Sequence, residues 1–334
     1  MTSTSSTTSA IRIGICGFGN LGRGVEHAIS QSPDMELVAV VTRRSPESLS
    51  VDKPDVEVVH INDVESLIGK VDVMILCGGS KDDLPVQGPQ LAALFNTVDS
   101  YDTHARIPEY FDAVDAAAKR GGHLAVISTG WDPGLFSLNR LVSEAILPTG
   151  DTYTFWGRGV SQGHSDALRR VEGVANAVQY TIPSEDALKR ARSGERPQLE
   201  TREKHLRECF VVLADGADEE SVEHAIVTMA DYFADYDTTV RFVDQATLDA
   251  EHAAMPHGGV VIRSAETGDG SDQVIEFSLS LGHNPSFTAS VLVAYARAAH
   301  RLSEAGEFGA KTLFDIAPGL LSPRSAAELR RDLL

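Results

Sequence analysis

Two carboxylates sit just beyond the ends of short apolar runs. Asp102 follows TVDSY (97–101), and Asp132 lies in STGWDPG (128–134), directly after HLAVIS (123–128). Two anions beside one reacting carbon suit a cationic group such as an ammonium better than an alcohol with a carboxylate next to it. Oxidising an amine requires the nitrogen to lose a proton before hydride leaves the same carbon, and a carboxylate within hydrogen-bond reach can hold the amine and pass protons to water. Amine oxidation is therefore favoured, with Asp102 and Asp132 as the catalytic candidates. The same positions also suit turn or helix-cap residues, as Asp before Pro-Gly often does, and the sequence leaves that reading open.

Hydride transfer needs an acceptor, and the segment CGFGNLGRG after the apolar run IRIGIC (11–16) offers a site for one. Gly17, Gly19 and Gly22 form a GxGxxG at a strand-to-helix turn, with Phe18, Asn20 and Leu21 completing the loop. Gly17 allows the tight turn, Gly19 lets backbone approach a pyrophosphate, and Gly22 lets the helix pack closely while its N-terminus faces the anion. A structural turn or an FAD fingerprint has the same spacing. The second apolar run ends VVTRRS, where an NAD site would carry an acid for the ribose 2′-hydroxyl. Thr42, Arg43 and Arg44 offer instead a hydroxyl and two guanidinium forks suited to a 2′-phosphate, so NADP(H) is preferred. Two arginines decorating an exposed loop are the alternative. The fourth run ends Cys77-Gly78-Gly79-Ser80, small residues where a dinucleotide crosses the sheet edge.

These residues need a scaffold, and the first 130 residues supply one. Short Val/Ile-rich runs at 11–16, 36–41, 56–60, 71–77, 97–101 and 123–128 alternate with helical spacing near 21–31, 83–95 and 106–120. That pattern predicts a doubly wound parallel sheet in the order 3-2-1-4-5-6, with ligands gathering outside the carboxyl ends of neighbouring strands 4, 5 and 6. Both acids then face the reacting carbon beside a nicotinamide. After Asp132 the runs TYTFWG, ECFVVLA, TVRFVD, GGVVIRS and QVIEFSLSL predict an α+β domain on a mixed or antiparallel sheet, followed by the apolar helix FTASVLVAYARAAHRL. The charged segment SGERPQLETREKH reads as an exposed loop.

Composition narrows the classes. A chain of 334 residues with 42% apolar content can build two modest cores. No apolar run approaches the roughly 20 residues of a membrane span. The stretch MTSTSSTTSA has neither part of a secretory signal, so residues 1–10 read as a disordered tail. Cys16, Cys77 and Cys209 form no paired motif, which fits a reducing cytoplasm. His252 and His257 are five apart with no HExxH, so no metal is expected. A net charge of −19 repels a phosphate backbone, which argues against nucleic acid as a partner.

Further polar residues of the second half are Thr181 after VQY, Arg207 before ECFVVLA, His257 in MPHGG and Asn284 in HNPSF; none carries an assignment alone. Together, GFGNLGR, TRRS, VDSYDTH, STGWDPGLFSLNR, FWGRGVSQGHSDALRR, QYTIPSEDAL, MPHGG and HNPSFTAS resemble the meso-diaminopimelate dehydrogenase family from about residue 11 to the C-terminal helix. The resemblance implies a Rossmann-type sheet with a second α+β substrate-binding and dimerisation domain. The dinucleotide-binding part would span 11–130 plus about 300–334, and the second domain 131–299. The implied reaction is NADP-dependent, reversible oxidative deamination of the D-centre of meso-2,6-diaminopimelate to L-2-amino-6-oxopimelate and ammonia. It serves lysine and peptidoglycan precursor synthesis. By the same resemblance Asp102 and Asp132 act at the D-centre, Trp131 and Trp156 shape the pocket, and Gln162 and Gly163 add polar contacts. Thr181, Arg207, His257 and Asn284 would clamp the distal L-end, domain closure would sequester the ligand, and the protein would be a homodimer. Two rivals stay open. Another NADPH-dependent reductase of amino-acid pathways would need a Lys or His donor, whereas these strand ends present Asp. A catalytically silent NADPH-binding regulator would not need Asp102, Asp132 and Arg207 together.

Overall fold

A computed structural model describes residues 10–334, so the tail expected over 1–10 lies outside the described residues except for Ala10. The chain divides into two compact units. One runs to Leu138 and resumes over Pro285–Leu334; the other is Asn139–Asn284.

The first unit holds a parallel seven-stranded sheet. Its strands are β1 (Ile11–Cys16), β2 (Met35–Thr42), β3 (Glu57–His60), β4 (Val73–Leu76), β5 (Asn96–Asp99), β6 (Leu124–Val126) and β14 (Gly309–Lys311). Their order is β14-β6-β5-β4-β1-β2-β3, the expected doubly wound arrangement with one strand added at the β6 edge. Alternation along each strand feeds two cores. Ile13, Ile15, Leu37, Val40, Val73 and Ile75 face one side with helix α1 (Asn20–Ser30) and the long helix Asn284–Glu304. Cys16, Ala39, Val41, Met74 and Leu76 face the other with α2 (Leu84–Ala92) and α3 (Ile107–Gly121). A parallel sheet covered on both faces requires apolar residues at successive positions, which is why these runs lack polar alternation. The added strand Gly-Ala-Lys has no such pattern. It is held by pairing with β6 and by the Gly309 N–H donating to the His123 carbonyl at 2.8 Å.

The unit boundaries fall at 138/139 and 284/285, where the sequence reading places them at 130 and about 300. The reason lies in packing: Ala289 through Leu302 of the long helix are part of the sheet's core. The N–H of Leu135 also donates to the Gly130 carbonyl at 3.0 Å, which closes residues 130–135 into a turn after β6.

The second unit contains two sheets. Strands β8 (Gly159–Val160), β9 (Val174–Pro183), β10 (His205–Leu213) and β11 (Asp237–Phe242) form one in the order β11-β10-β9-β8, mixed because β10 and β11 run parallel. Strands β7 (Gly150–Trp156), β12 (His257–Glu266) and β13 (Asp272–Leu281) form the other, with β12 central. The segment 193–205 is not a free exposed loop. Its Pro197 is buried and accepts the Tyr153 hydroxyl at 3.0 Å, Arg196 pairs with Glu266, and a single turn, Thr201–Lys204, leads into β10.

Candidate active site

The glycine loop closes one end of a cavity of about 430 Å³ at the carboxyl ends of β1, β2 and β4. Gly17, Phe18, Gly19, Thr42, Arg43, Arg44, Cys77 and Gly78 line it, joined by Cys16, Val41, Ile61, Asp83 and Gln87. A Cβ on Gly22 would stand 2.2 Å from the Gly17 carbonyl oxygen, so that glycine serves helix–strand packing. A Cβ on Gly19 would meet no protein atom within 4 Å, so its bareness serves the cavity instead. No acid occupies the first turn of α1, which leaves the positive helix end uncompensated. The residues fit a 2′-phosphorylated dinucleotide: Arg43 and Arg44 are exposed at the mouth, and no carboxylate replaces them at the end of β2.

The two arginines are not equivalent. Arg43 is bound by both oxygens of Asp83, at 2.6 and 3.3 Å, whereas Arg44 donates only to the Phe18 carbonyl at 3.3 Å. The Thr42 hydroxyl accepts the Arg44 N–H at 3.0 Å and so braces that turn. Asn20, Leu21 and Gly22 lie in α1 outside the lining, and Gly79 and Ser80, in the loop after β4, also lie outside it. Gly79 N–H donates to Asp83 at 3.0 Å, and the Ser80 hydroxyl accepts the Asp102 N–H at 3.1 Å.

Strand β5 ends at Asp99, so Asp102 stands on a loop three residues beyond it and is exposed. Asp132 stands on the loop after the neighbouring β6 and is half-buried. That loop is tight. Trp131 bridges to Gly134, its carbonyl accepts the Phe136 N–H at 2.8 Å, and its buried indole meets the Phe136 ring edge-on at 5.3 Å. Beneath both loops lies Asp99, which accepts N–H groups from Tyr101 at 2.9 Å and Ser128 at 3.1 Å and the Tyr110 hydroxyl at 2.7 Å. Burial pushes its carboxyl up to about 6 although these three donors pull it down.

The remaining candidates lie in the second unit, apart from Trp131. Arg207 on β10 is opposite Thr181 on β9, and Thr181 is opposite Gly159 on β8. A Cβ on Gly159 would come within 2.6 Å of the His257 ring, which brings β12 to the same place. Met255 gathers two more: its sulfur accepts the Gln162 amide at 3.0 Å and its carbonyl the Asn284 N–H at 3.0 Å. Gly163 is exposed and near no other protein atom that a Cβ would touch. Trp156 is 39% exposed; its ring stacks on His205 at 5.3 Å and its main-chain N–H donates to His205 Nε2 at 2.9 Å.

Arg207 dominates the electrostatics of this face. It is 7% exposed, donates to the Thr181 hydroxyl and lies 3.9 Å over the Tyr236 ring, while its Nε has no partner. Among the described residues no carboxylate pairs with it. Burial depresses its pKa. His205 and His164 are held neutral, at about 4, chiefly by burial and secondarily by the Arg207 charge. Gln179, two residues from Thr181 and thus on the same face of β9, is fully buried with both amide atoms unpartnered. Among the described residues no group of three His, Cys, Asp or Glu is placed to hold a metal ion.

Sequence reasoning missed Asp83, Gln87, Asp99 and Gln179. The last two left a signal: each is a polar residue at an inward position of an apolar run, TVDSY and VANAVQYTI.

A doubly wound parallel sheet with this glycine loop, an arginine pair after β2 and an appended α+β unit defines a Rossmann-type dinucleotide-dependent oxidoreductase. Residues 130–283 match the diaminopimelic acid dehydrogenase C-terminal domain, and residues 11–76 match the dihydrodipicolinate reductase N-terminus. The meso-diaminopimelate D-dehydrogenase of Ureibacillus thermosphaericus is 64% identical over 326 residues, covering 98% of this chain and all of that one. The C. glutamicum DAP dehydrogenase solved in complex with DAP superimposes with a TM-score of 0.89 at 48% identity, over 98% of this chain and 100% of the other. An engineered D-amino acid dehydrogenase bound to NADP+ gives a TM-score of 0.84 at 46% identity, with the same coverage. The chain belongs to the meso-diaminopimelate dehydrogenase family.

Proposed function

We propose that the protein catalyses the NADP-dependent, reversible oxidative deamination of the D-centre of meso-2,6-diaminopimelate, in lysine and peptidoglycan precursor metabolism. The substrate in its ammonium form, NADP+ and water give L-2-amino-6-oxopimelate, ammonium, NADPH and a proton. Bound NADP+ supplies the hydride acceptor. Asp102 and Asp132 hold the reacting ammonium and carry its proton toward water. Arg207 with Thr181, His257 and Asn284 binds the amino-acid group at the other end, and Trp131, Trp156, Gln162 and Gly163 bound the chain between. A substrate with similar ends of opposite chirality is read only if its far carboxylate is fixed, and a guanidinium fork does that in two directions at once.

The observation that carries this reading is Arg207, a buried cation with no carboxylate partner among the described residues and with its Nε unsatisfied. Burying an unpaired ion costs several kcal/mol, so such a residue is explained by an anionic ligand that completes it. A cofactor-binding regulator has no need of it. The test is NADPH formation from meso-, L,L- and D,D-diaminopimelate with NADP+ at alkaline pH. Turnover of the meso isomer with little from the L,L isomer is expected. Equal rates on both would remove the clamp, and silence on all three would favour the regulator.

Two further assignments belong to this proposal. The enzyme is a homodimer. Leu141, Val142 and Ile146 on helix α4 (Leu135–Ile146) are exposed apolar groups, Ile146 at 63%, and offer an apolar stretch to a second copy. It works in the cytoplasm, where its three free cysteines stay reduced; no helix of the described residues is long and apolar enough to cross a membrane.

A further inference from the structure

The ladder between β5 and β6 is short, with Thr97 opposite Ala125 and Val98 opposite Val126 as its two pairs. Beyond it the strands have no further backbone pairing in the ladder, yet the loops that leave them carry the two acids. A single residue bridges that gap. One carboxylate oxygen of Asp99 accepts the Tyr101 N–H, next to Asp102, and the Ser128 N–H, four residues before Asp132. Its main-chain carbonyl accepts the Thr129 N–H at 2.8 Å, so side chain and backbone grip the second loop at successive residues.

Ser128 adopts φ 54°, a left-handed conformation that non-glycine residues seldom take without restraint. Its buried hydroxyl has no partner, so the restraint comes through the N–H held by Asp99 rather than through its own side chain. The second carboxylate oxygen is fixed by Tyr110, whose ring stacks on Tyr101 with centroids 4.1 Å apart. The hydroxyl reaches this place because α2 has Gly88 there: a Cβ would lie 2.1 Å from the Tyr110 oxygen. Glycine inside a helix lowers helix stability, and here it makes room for the third donor to Asp99.

We infer that Asp99 is a positioning residue that sets the Asp102 and Asp132 loops relative to each other, so that the two carboxylates present one fixed geometry to the amine. The inference rests on the roles proposed above for those two acids. A side chain that only filled the sheet end would need neither acceptor shared between two loops nor a strained serine beside it.

The experiment compares the full-length wild-type enzyme with Asp99→Ala and Asp99→Asn in two measurements. Amide hydrogen exchange reports the loops whatever the substrate proves to be. In Asp99→Ala, protection at both Tyr101 and Ser128 is expected to fall together by about tenfold or more, because one carboxylate oxygen serves both. Loss at one loop alone, or at neither, overturns the inference. In the kinetic arm, kcat with meso-diaminopimelate is expected to fall about 100-fold in Asp99→Ala, as an ångström-scale misplacement of catalytic groups does, while KM for NADP+ stays within about threefold. Unchanged kcat, or equal loss of kcat and NADP+ affinity, also overturns it. Asp99→Asn keeps an oxygen for the two N–H groups and serves if the alanine variant does not fold. It is expected to retain protection and a kcat within about tenfold of wild type. Collapse of kcat in Asp99→Asn with protection intact would mean the charge acts directly and would refute a positioning role. A wild-type enzyme inactive on meso-diaminopimelate would defeat the proposed function, while the exchange result would still decide whether Asp99 couples the loops.

Discussion

Replacing Arg207 with methionine is expected to remove activity and, at the same time, leave the ligand-free protein as stable as before or more so. The guanidinium is almost fully buried, faces no carboxylate among the described residues, and has its Nε unpartnered. Holding an uncompensated ion there costs several kcal/mol of desolvation. Against that stand one charge-assisted hydrogen bond to Thr181, worth about 1.5–3 kcal/mol, and the cation–π contact with Tyr236, worth about 1–2 kcal/mol. Methionine keeps most of the side chain's length and apolar contact, so the balance favours the variant by about 1–2 kcal/mol. That is a rise in Tm of roughly 2–8 °C at about 2–4 °C per kcal/mol. Activity moves the opposite way. Without the fork, the distal carboxylate would be buried unpaired, a loss of about 2–5 kcal/mol in transition-state binding, or roughly 30- to 5,000-fold in kcat/KM. Differential scanning fluorimetry with and without meso-diaminopimelate, together with initial rates, measures both. Wild type should gain Tm with the substrate and Arg207→Met should not. A fall in Tm accompanying the loss of activity would make the guanidinium a structural brace and refute the reasoning; undiminished kcat/KM would refute the anchor.

Arg44→Ser is expected to raise KM for NADP+ by roughly 10- to 150-fold, the worth of a charge-assisted phosphate contact of about 1.5–3 kcal/mol, with little change for NAD+. Arg43→Ser should do less, because Asp83 already neutralises Arg43; equal effects on both cofactors in steady-state kinetics would contradict the 2′-phosphate assignment. The neutral form of His205 accepts the Trp156 main-chain N–H, and its native pKa of about 4 lies below the usual 6.5. Its contribution to stability is therefore present above pH 6.5 and lost as pH falls toward 4, amounting to roughly 3 kcal/mol. Half-buried His164, also at about 4, adds in the same direction. Asp99, raised to about 6, opposes them, because the native state holds that proton more tightly and its contribution fades as pH rises from about 4 to 6. His205→Gln should flatten the pH dependence of the urea midpoint between pH 4 and 6.5; an NMR titration placing His205 above pH 6 would contradict this.

The dinucleotide half was legible because its signals are local. Two-sided burial writes itself as uninterrupted runs such as VDVMILC, and a GxGxxG after such a run fixes a turn, a helix start and a packing contact within six residues. The seventh strand was not, since Gly309–Lys311 is short and owes its place to partners at His123–Val126 nearly two hundred residues away. Charge pairing was equally hidden. VVTRRS shows two arginines, yet only the fold shows that Asp83 takes one of them. In the second unit, β9 was legible only as VQY, because its early residues Val174–Ala177 mix polar and small side chains whose strand state depends on pairing with β10. Unit boundaries were blurred for a related reason: an apolar helix does not declare which core it joins until Ala289–Leu302 are seen in the sheet's own.

The positions that break local rules point the same way. A packed protein normally pairs its buried ions, satisfies its buried amides and keeps serine out of left-handed backbone. Here Arg207, Gln179 and Ser128 each violate one of those rules, while the cores around β1, β2 and β4 violate none that the side chains reveal. These three fall at the strand ends leading to Asp132 and on the β9–β10 face that carries Thr181. Arg263, also buried without a carboxylate among the described residues, differs from Arg207 in that the Leu147 carbonyl and the Thr152 hydroxyl take its Nε and both terminal nitrogens, and Arg196 and Asp231 take left-handed backbone elsewhere. Stability given up at these three positions is what a protein selected for a charged ligand retains, because each is a group that a substrate carboxylate or a fixed catalytic loop would turn to use.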